Sequence, residues 1–195
     1  MSHTRIWQWP NLLALDAALI ALAWQETLAA DAGFRLSLTA RLTLGLSVWL
    51  TYMADRLFDV ARRPVAQLHS SRHRFAKKHA RTLWVIWGAG LIADLILALN
   101  HLEAMQLQHG CLLLIVCLLY TVLNQSCSRT FFPKEICVAT IYAAGVIAFL
   151  QRPFPWLASA ALALLCLTNC LMIGTKERQI DDAMQVRSMT QFSTH

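Results

Sequence analysis

The stretch CLLLIVCLLYTVL, residues 111–123, contains no charged residue and no regular alternation of apolar and polar side chains. A strand of a transmembrane barrel would alternate between lipid-facing and lumen-facing residues. Lipid offers the backbone no hydrogen-bond partners, so a segment this apolar satisfies its own amides as an α-helix. The stretch therefore predicts a helix that crosses a membrane.

Other blocks of the chain have the same character. A spanning helix takes about 20 largely apolar residues, and this length predicts spans at residues 11–30, 38–58, 82–99, 107–123, 135–150 and 155–174. Of the 195 residues, only 14% are charged, whereas a soluble domain carries about 25%. We expect an all-α integral membrane protein with about six transmembrane helices in one domain, residues 1–195.

The basic residues predict the orientation. Lys and Arg are concentrated in the segment 60–81 and in the tail 175–195, both next to apolar blocks. This placement, rather than a nucleic-acid-binding surface, accounts for the net charge of +6, and we expect no nucleic-acid partner. Segments rich in Lys and Arg stay in the cytoplasm. The sequence thus predicts a multi-pass protein of the cell inner (plasma) membrane with both termini cytoplasmic.

Two carboxylates end the second predicted helix. Tyr52, Asp55 and Asp59 recur at i, i+3 and i+7, which places them on one helix face. Like charges one turn apart repel each other, and a hard divalent cation takes carboxylate oxygens as ligands. We therefore predict a Mg²⁺ site at this pair. Alternatively, Arg56 pairs with one of the two acids.

A second acidic pair follows the sixth predicted helix. Glu177 and Asp181 lie four residues apart, flanked by Lys176 and Arg178, and Asn169 lies two turns earlier on about the same face. The predicted topology puts both acidic pairs on one side of the membrane, so we expect them to converge on one cytoplasmic-facing cavity that binds a diphosphate through Mg²⁺. Ordinary charges at helix ends are the alternative, and spacing alone favours neither.

These motifs resemble those of the UbiA-type membrane prenyltransferase superfamily. In that family the second helix ends in NDxxDxxxD, and DxxxD follows the sixth. Asp55 and Asp59 match the last two acids of the first motif, with Tyr52 in place of the first; Glu177 and Asp181 match the second, with Glu for its first Asp. Family members have about nine helices, so the chain matches about two thirds of that fold.

The resemblance implies an enzyme that transfers an isoprenoid from an allylic polyprenyl diphosphate to a lipophilic, typically aromatic, acceptor. It implies Mg²⁺ as cofactor, held by the catalytic acids Asp55, Asp59, Glu177 and Asp181. Basic residues would bind the diphosphate, namely Arg56, Lys134, Lys176 and Arg178. Substrate contacts would come from Tyr52, Asn169 and Asp16, the last as an ionisable group inside a predicted span.

Two other functions stay open. The missing helices and the lost acid at Tyr52 favour a non-catalytic relative that binds an isoprenoid or quinone-like lipid or serves as a subunit of a membrane complex. A homo-oligomer or partner subunit would then complete the cavity. A small transporter or channel would show discontinuous helices or charges near the membrane midplane, for which Asp94 is the only indication.

Overall fold

The computed structural model describes residues 6–61, 70–127, 134–150 and 156–183, and all regular structure in these segments is helical. A short 3₁₀ turn, Ile6–Gln8, opens the described chain. The α-helices that follow are α1 (Trp9–Leu12), α2 (Leu15–Asp31), α3 (Leu38–Ala61), α4 (Ser71–Lys78), α5 (Ala80–His101), α6 (Ala104–Cys127), α7 (Lys134–Ile147) and α8 (Trp156–Ala183). The predicted all-α class is confirmed for this part of the chain.

Within the described segments, three helices are long and apolar enough to cross a membrane, over Ala80–His101, Ala104–Leu123 and Trp156–Thr175. They coincide with the third, fourth and sixth predicted spans. The other predicted spans fall on helices that do not meet these criteria. α2 has 17 residues, α3 contains Arg41, Asp55, Arg56 and Asp59, and α7 has 14 residues. At 1.5 Å per residue, α7 is about 21 Å long, against a hydrocarbon core of about 30 Å.

α5 has the inside-out pattern of a membrane helix. Its one acidic side chain, Asp94, is 8% exposed, whereas Val85, Ile92 and Leu99 are 72%, 61% and 68% exposed. α6 is uncharged and largely apolar from Cys111 to Leu123, and none of its side chains described over Ala104–Leu123 is buried. A helix with an apolar exterior of this kind is stable when lipid surrounds it. By length and composition, this part of the chain could therefore span a membrane.

The chain divides into two compact units. Unit 1 consists of Met1–Glu26 and Leu36–Leu102, and unit 2 consists of Thr27–Arg35 and Glu103–His195. In unit 1, α3 runs antiparallel to α5, as the contacts Ser47–Asp94 and Phe58–Trp84 show. α4 packs on the end of α3. The buried cluster there contains Ala14, Met53, Leu57, Val60, Ala76 and Leu83.

One glycine determines how closely α3 and α5 approach. A Cβ atom at Gly90 would lie 3.0 Å from Cζ3 of Trp49, which is closer than side-chain carbons normally come. Gly88, one half-turn away on α5, has nothing within 4 Å of the same position. The close contact is therefore specific to Gly90, as expected where small residues let membrane helices approach.

In unit 2, α7 and α8 pack through small and aliphatic side chains. Ala139, Ala143 and Val146 are buried along one face of α7, and Ser159 and Leu162 are buried on α8. α6 meets the end of α7 through weaker polar contacts. Nε2 of Gln106 donates to the Phe149 carbonyl at 3.4 Å. α8 continues nine residues beyond the predicted end at 174, because Lys176 to Gln179 are good helix formers in water.

Candidate functional site at the end of α3

The acidic face of α3 lies opposite its buried face. Met53, Leu57 and Val60 are buried in unit 1, whereas Tyr52 and Asp55 are exposed and Asp59 is half-buried. This follows from helical geometry, because residues three, four and seven positions apart share a face. The face formed by Tyr52, Asp55 and Asp59, called here the acidic face, is accessible to a ligand in unit 1.

The basic helix α4 borders the acidic face. Nε2 of His73 lies 4.0 Å from Oδ2 of Asp59, a distance that forms an ion pair when the imidazole is protonated. Nζ of Lys77 donates to the Val60 carbonyl at 2.6 Å, one of the acceptors that the end of α3 leaves unpaired within the helix. Lys77 thereby fixes α4 against α3, and His73 is brought beside the carboxylates.

Arg56, a predicted diphosphate ligand, has a structural role that sequence reasoning missed. It is buried, and its Nη1 donates to the carbonyls of Asn11 and Leu12 at 2.8 Å each. Those carbonyls lie at the end of α1. The first predicted span, residues 11–30, is interrupted just after them, at Leu13 and Ala14, before α2 begins. The alternative pairing of Arg56 with an acid of α3, and the binding of a diphosphate by Arg56, both stay predictions.

The interruption itself is unusual because alanine occupies it. Ala14 is completely buried and has φ 56, a left-handed conformation that costs a non-glycine residue energy. Nε1 of Trp49 donates to the Leu13 carbonyl at 2.9 Å. Two side chains of α3, Trp49 and Arg56, thus bind the three successive carbonyls at the break. No glycine or asparagine stands at the left-handed position itself, which is Ala14, so the sequence gives no signal for the break there.

Asp16, a predicted substrate contact, lies in the first turn of α2 rather than deep within a span. Its Oδ2 accepts a hydrogen bond from Nδ2 of Asn11 at 2.9 Å, and its Oδ1 accepts one from the Ala17 amide at 3.0 Å. A carboxylate at this position also interacts favourably with the helix dipole. These contacts give Asp16 a local structural role. Its contact with an acceptor substrate stays a prediction.

The second predicted motif lies on α8, whose helix reaches Ala183. Asn169 is exposed on that helix. Glu177 and Asp181 are one helical turn apart, but their side chains lie outside the described part of the chain. The same holds for the side chains of the predicted diphosphate ligands Lys134, Lys176 and Arg178. The convergence of the two acidic pairs therefore stays a prediction from the sequence.

The donor set of the acidic face suits Mg²⁺ only in part. Among the residues that the structure describes, no group of three or more His, Cys, Asp or Glu side chains could hold a metal ion. Mg²⁺ keeps several waters, however, and commonly binds through one or two carboxylates together with substrate phosphates. Asp55 and Asp59 could supply those two carboxylates. A Mg²⁺ ion bound here would then need phosphate oxygens of a substrate to complete its ligands.

A second polar pair lies inside unit 1, away from the acidic face. Oγ of Ser47 donates to Oδ2 of Asp94 at 2.6 Å across the interface of α3 and α5. Among the described residues, Oδ1 of Asp94 is buried without a hydrogen-bond partner. The sequence analysis singles out Asp94 but not its partner Ser47. Ser47 is the only hydroxyl-bearing residue in the apolar run LGLSVWL, residues 44–50, and that isolation could have indicated a buried hydrogen bond.

Searches against protein-family models, curated proteins and solved structures find no match for this chain. The resemblance to UbiA-type prenyltransferases therefore stays a prediction from the sequence.

Proposed function

We propose that this chain is a multi-pass protein of the inner (plasma) membrane that transfers an isoprenoid from an allylic polyprenyl diphosphate to a lipophilic acceptor. The observation that carries the proposal is the acidic face. Two carboxylates one turn apart are presented to the outside of unit 1 and bordered by a basic helix. A diphosphate needs both a divalent cation and positive side chains around it.

The orientation is part of the proposal. Between Asp59 and Asp94 the chain contains no acidic residue, and its Lys and Arg residues all precede Thr82, close to the beginning of the apolar stretch of α5. By the positive-inside rule, α4 and the acidic face would lie on the cytoplasmic side. Both termini would lie there too if all six predicted spans cross the membrane. A water-soluble Mg²⁺–diphosphate group would reach the acidic face from that side.

The proposed reaction breaks the bond between the allylic carbon and the diphosphate oxygen, and a new bond forms between that carbon and the acceptor, which loses a proton. Bound Mg²⁺ would neutralise charge on the departing diphosphate. Asp55 and Asp59 would orient that cation, and Tyr52 would donate a hydrogen bond to a phosphate oxygen. Asp16 is the candidate for contact with the acceptor. The apolar helices would hold the isoprenoid tail.

A second function is favoured by two observations. Arg56 uses its guanidinium to hold the first helix break, and Tyr52 occupies the position of an acid in the family motif. Both reduce the number of groups available for phosphate chemistry. The alternative is a non-catalytic protein that binds an isoprenoid or quinone-like lipid, alone, as a homo-oligomer, or as a subunit of a membrane complex.

The test is an assay of prenyl transfer in membranes that contain the protein, with radiolabelled polyprenyl diphosphate, Mg²⁺ and a panel of aromatic acceptors. Asp55→Asn and Asp59→Asn should each lower Mg²⁺-dependent product at least about 100-fold, because even the loss of a residue that supports a metal ligand costs about 10- to 100-fold. Glu177→Gln and Asp181→Asn test the second motif in the same assay. Asp31→Asn is the matched control, because Asp31 is an exposed acid at the end of α2.

Two results would contradict the enzyme. One is product formation that is equal in Asp55→Asn, Asp31→Asn and the unaltered protein. The other is saturable binding of the polyprenyl diphosphate that persists in EDTA and yields no product with any acceptor, which would support the non-catalytic alternative.

A further inference from the structure

The junction of α4 and α5 forms a second charged feature, separate from the acidic face. α4 ends at Lys78, the chain bends at His79 (φ −107, ψ 19), and α5 begins at Ala80. An open groove of about 460 Å³ lies at this bend. The groove is lined by Lys77, Lys78, His79, Ala80, Arg81 and Thr82. It is therefore a small surface site whose side chains are mostly cationic.

Two of its cations face solvent. Lys78 and Arg81 are exposed, whereas Lys77 is partly buried and donates to the Val60 carbonyl. Acidic residues are absent from the sequence between Asp59 and Asp94, so none from this stretch neutralises them. Lys and Arg bind phosphate oxygens through charge-assisted hydrogen bonds. The groove thus has the charge and the donors for a phosphate group.

The position of the groove indicates a lipid rather than a free anion. It lies at the beginning of the candidate span Ala80–His101, at the depth expected for lipid headgroups. Trp84 and Trp87, whose ring centroids are 5.5 Å apart, follow within two turns, and tryptophan is enriched at this interface. Below the groove, Val85 and Ile86 are exposed and offer an apolar surface on which an acyl chain can lie.

We propose that the groove at residues 77–82 binds the phosphate headgroup of an anionic phospholipid, held by Lys78 and Arg81 with its acyl chains along α5. Basic clusters beside a membrane helix bind anionic lipids in this way. The site does not depend on the proposed prenyl transfer. Binding at the groove would fix the bend at His79 at the membrane surface and so keep α4 against α3.

The test is native mass spectrometry of the purified full chain in detergent with equal amounts of phosphatidylglycerol and phosphatidylcholine. The unaltered protein should retain phosphatidylglycerol preferentially. Lys78→Gln and Arg81→Gln should each lower that preference about 5-fold, the effect of about one charge near the surface. Arg81→Lys should keep most of it. Arg35→Gln is the matched control, since Arg35 is an exposed cation beyond the opposite end of α3.

Further arms separate the possible sources of phosphate. Millimolar inorganic phosphate or pyrophosphate should leave phosphatidylglycerol bound, and Asp55→Asn should bind it as the unaltered protein does even if prenyl transfer is lost. The proposal is overturned if the two lipids bind equally. It is also overturned if Arg35→Gln lowers the preference as much as Arg81→Gln, or if free phosphate displaces the lipid.

Discussion

The helices inside unit 1 and the helices inside unit 2 are held together by different kinds of interaction. In unit 1, side-chain donors reach backbone carbonyls of other helices: Arg56 binds at Asn11 and Leu12, Trp49 at Leu13, and Trp87 at Leu50. In unit 2, the contact between α7 and α8 is formed by small and aliphatic side chains such as Ala143 and Leu162. Unit 1 also contains the acidic face and the basic groove.

This difference has a physical reason. Lipid is as apolar as leucine, so burying apolar surface does little to bring membrane helices together, and close packing or hydrogen bonds must do so. Unit 2 uses close packing. Unit 1 has a helix break whose carbonyls need donors, and a polar helix, α4, that supplies a donor to the end of α3. The unit that contains the acidic face is thereby the one with polar links between its helices.

The largest effect is expected at Arg56. Arg56→Ala removes both bonds to the carbonyls at the first helix break and leaves buried acceptors unsatisfied, so the free energy of unfolding should fall by about 3 kcal/mol. Thermal unfolding in detergent measures this, with Arg74→Ala on the exposed side of α4 as control. An Arg56→Ala protein of normal stability that has lost prenyl transfer would instead identify Arg56 as a substrate ligand.

Leu162 tests the packing of unit 2. It is fully buried, whereas Leu164 on the same helix is 64% exposed. Leu162→Ala should lower the free energy of unfolding by about 2 kcal/mol through the cavity it leaves, and Leu164→Ala should change it little. Equal effects of the two substitutions, measured by chemical unfolding in detergent, would show that apolar packing does not hold α8 in unit 2.

Gly90 tests whether unit 1 also depends on close packing. Gly90→Ala places a Cβ 3.0 Å from the Trp49 ring and should cost about 1.5 kcal/mol by overpacking. Gly88→Ala is the matched control on the same helix, because the space there is open. If Gly90→Ala proved as stable as Gly88→Ala in thermal unfolding, α3 and α5 would be less closely packed than described.

The smallest effect is expected at Trp49. Trp49→Phe keeps an aromatic ring but removes the donor to Leu13, and should lower the free energy of unfolding by about 1 kcal/mol. Trp84→Phe is the control. It makes the same chemical change, but the contacts of Trp84 are with the rings of Phe58 and Trp87 and not with the break at Leu13. Hydrogen exchange at residues 13–16 would rise only in Trp49→Phe. A rise of equal size in both proteins would argue against a role for this bond at the break.

The helices of this protein were more predictable than their contacts. The length of the apolar blocks located the first turns of α5 and α6 to within about three residues, because a membrane requires long uninterrupted helices. The break at Ala14 was not predictable, since it depends on donors from Trp49 and Arg56, more than thirty residues away in the chain. For the same reason, the spacing of Asp55 and Asp59 predicted their shared face but not the role of Arg56 between them.

The central claim is that Asp55 and Asp59 bind a divalent cation together with a diphosphate. Electron paramagnetic resonance of Mn²⁺, used in place of Mg²⁺, measures this directly with the protein in lipid nanodiscs and a non-hydrolysable prenyl diphosphate analogue. We expect Mn²⁺ binding that is strengthened by the analogue, retained in Asp31→Asn and weakened at least about tenfold in the doubly substituted Asp55→Asn, Asp59→Asn protein. Equal Mn²⁺ binding by the double variant and the unaltered protein would contradict the claim.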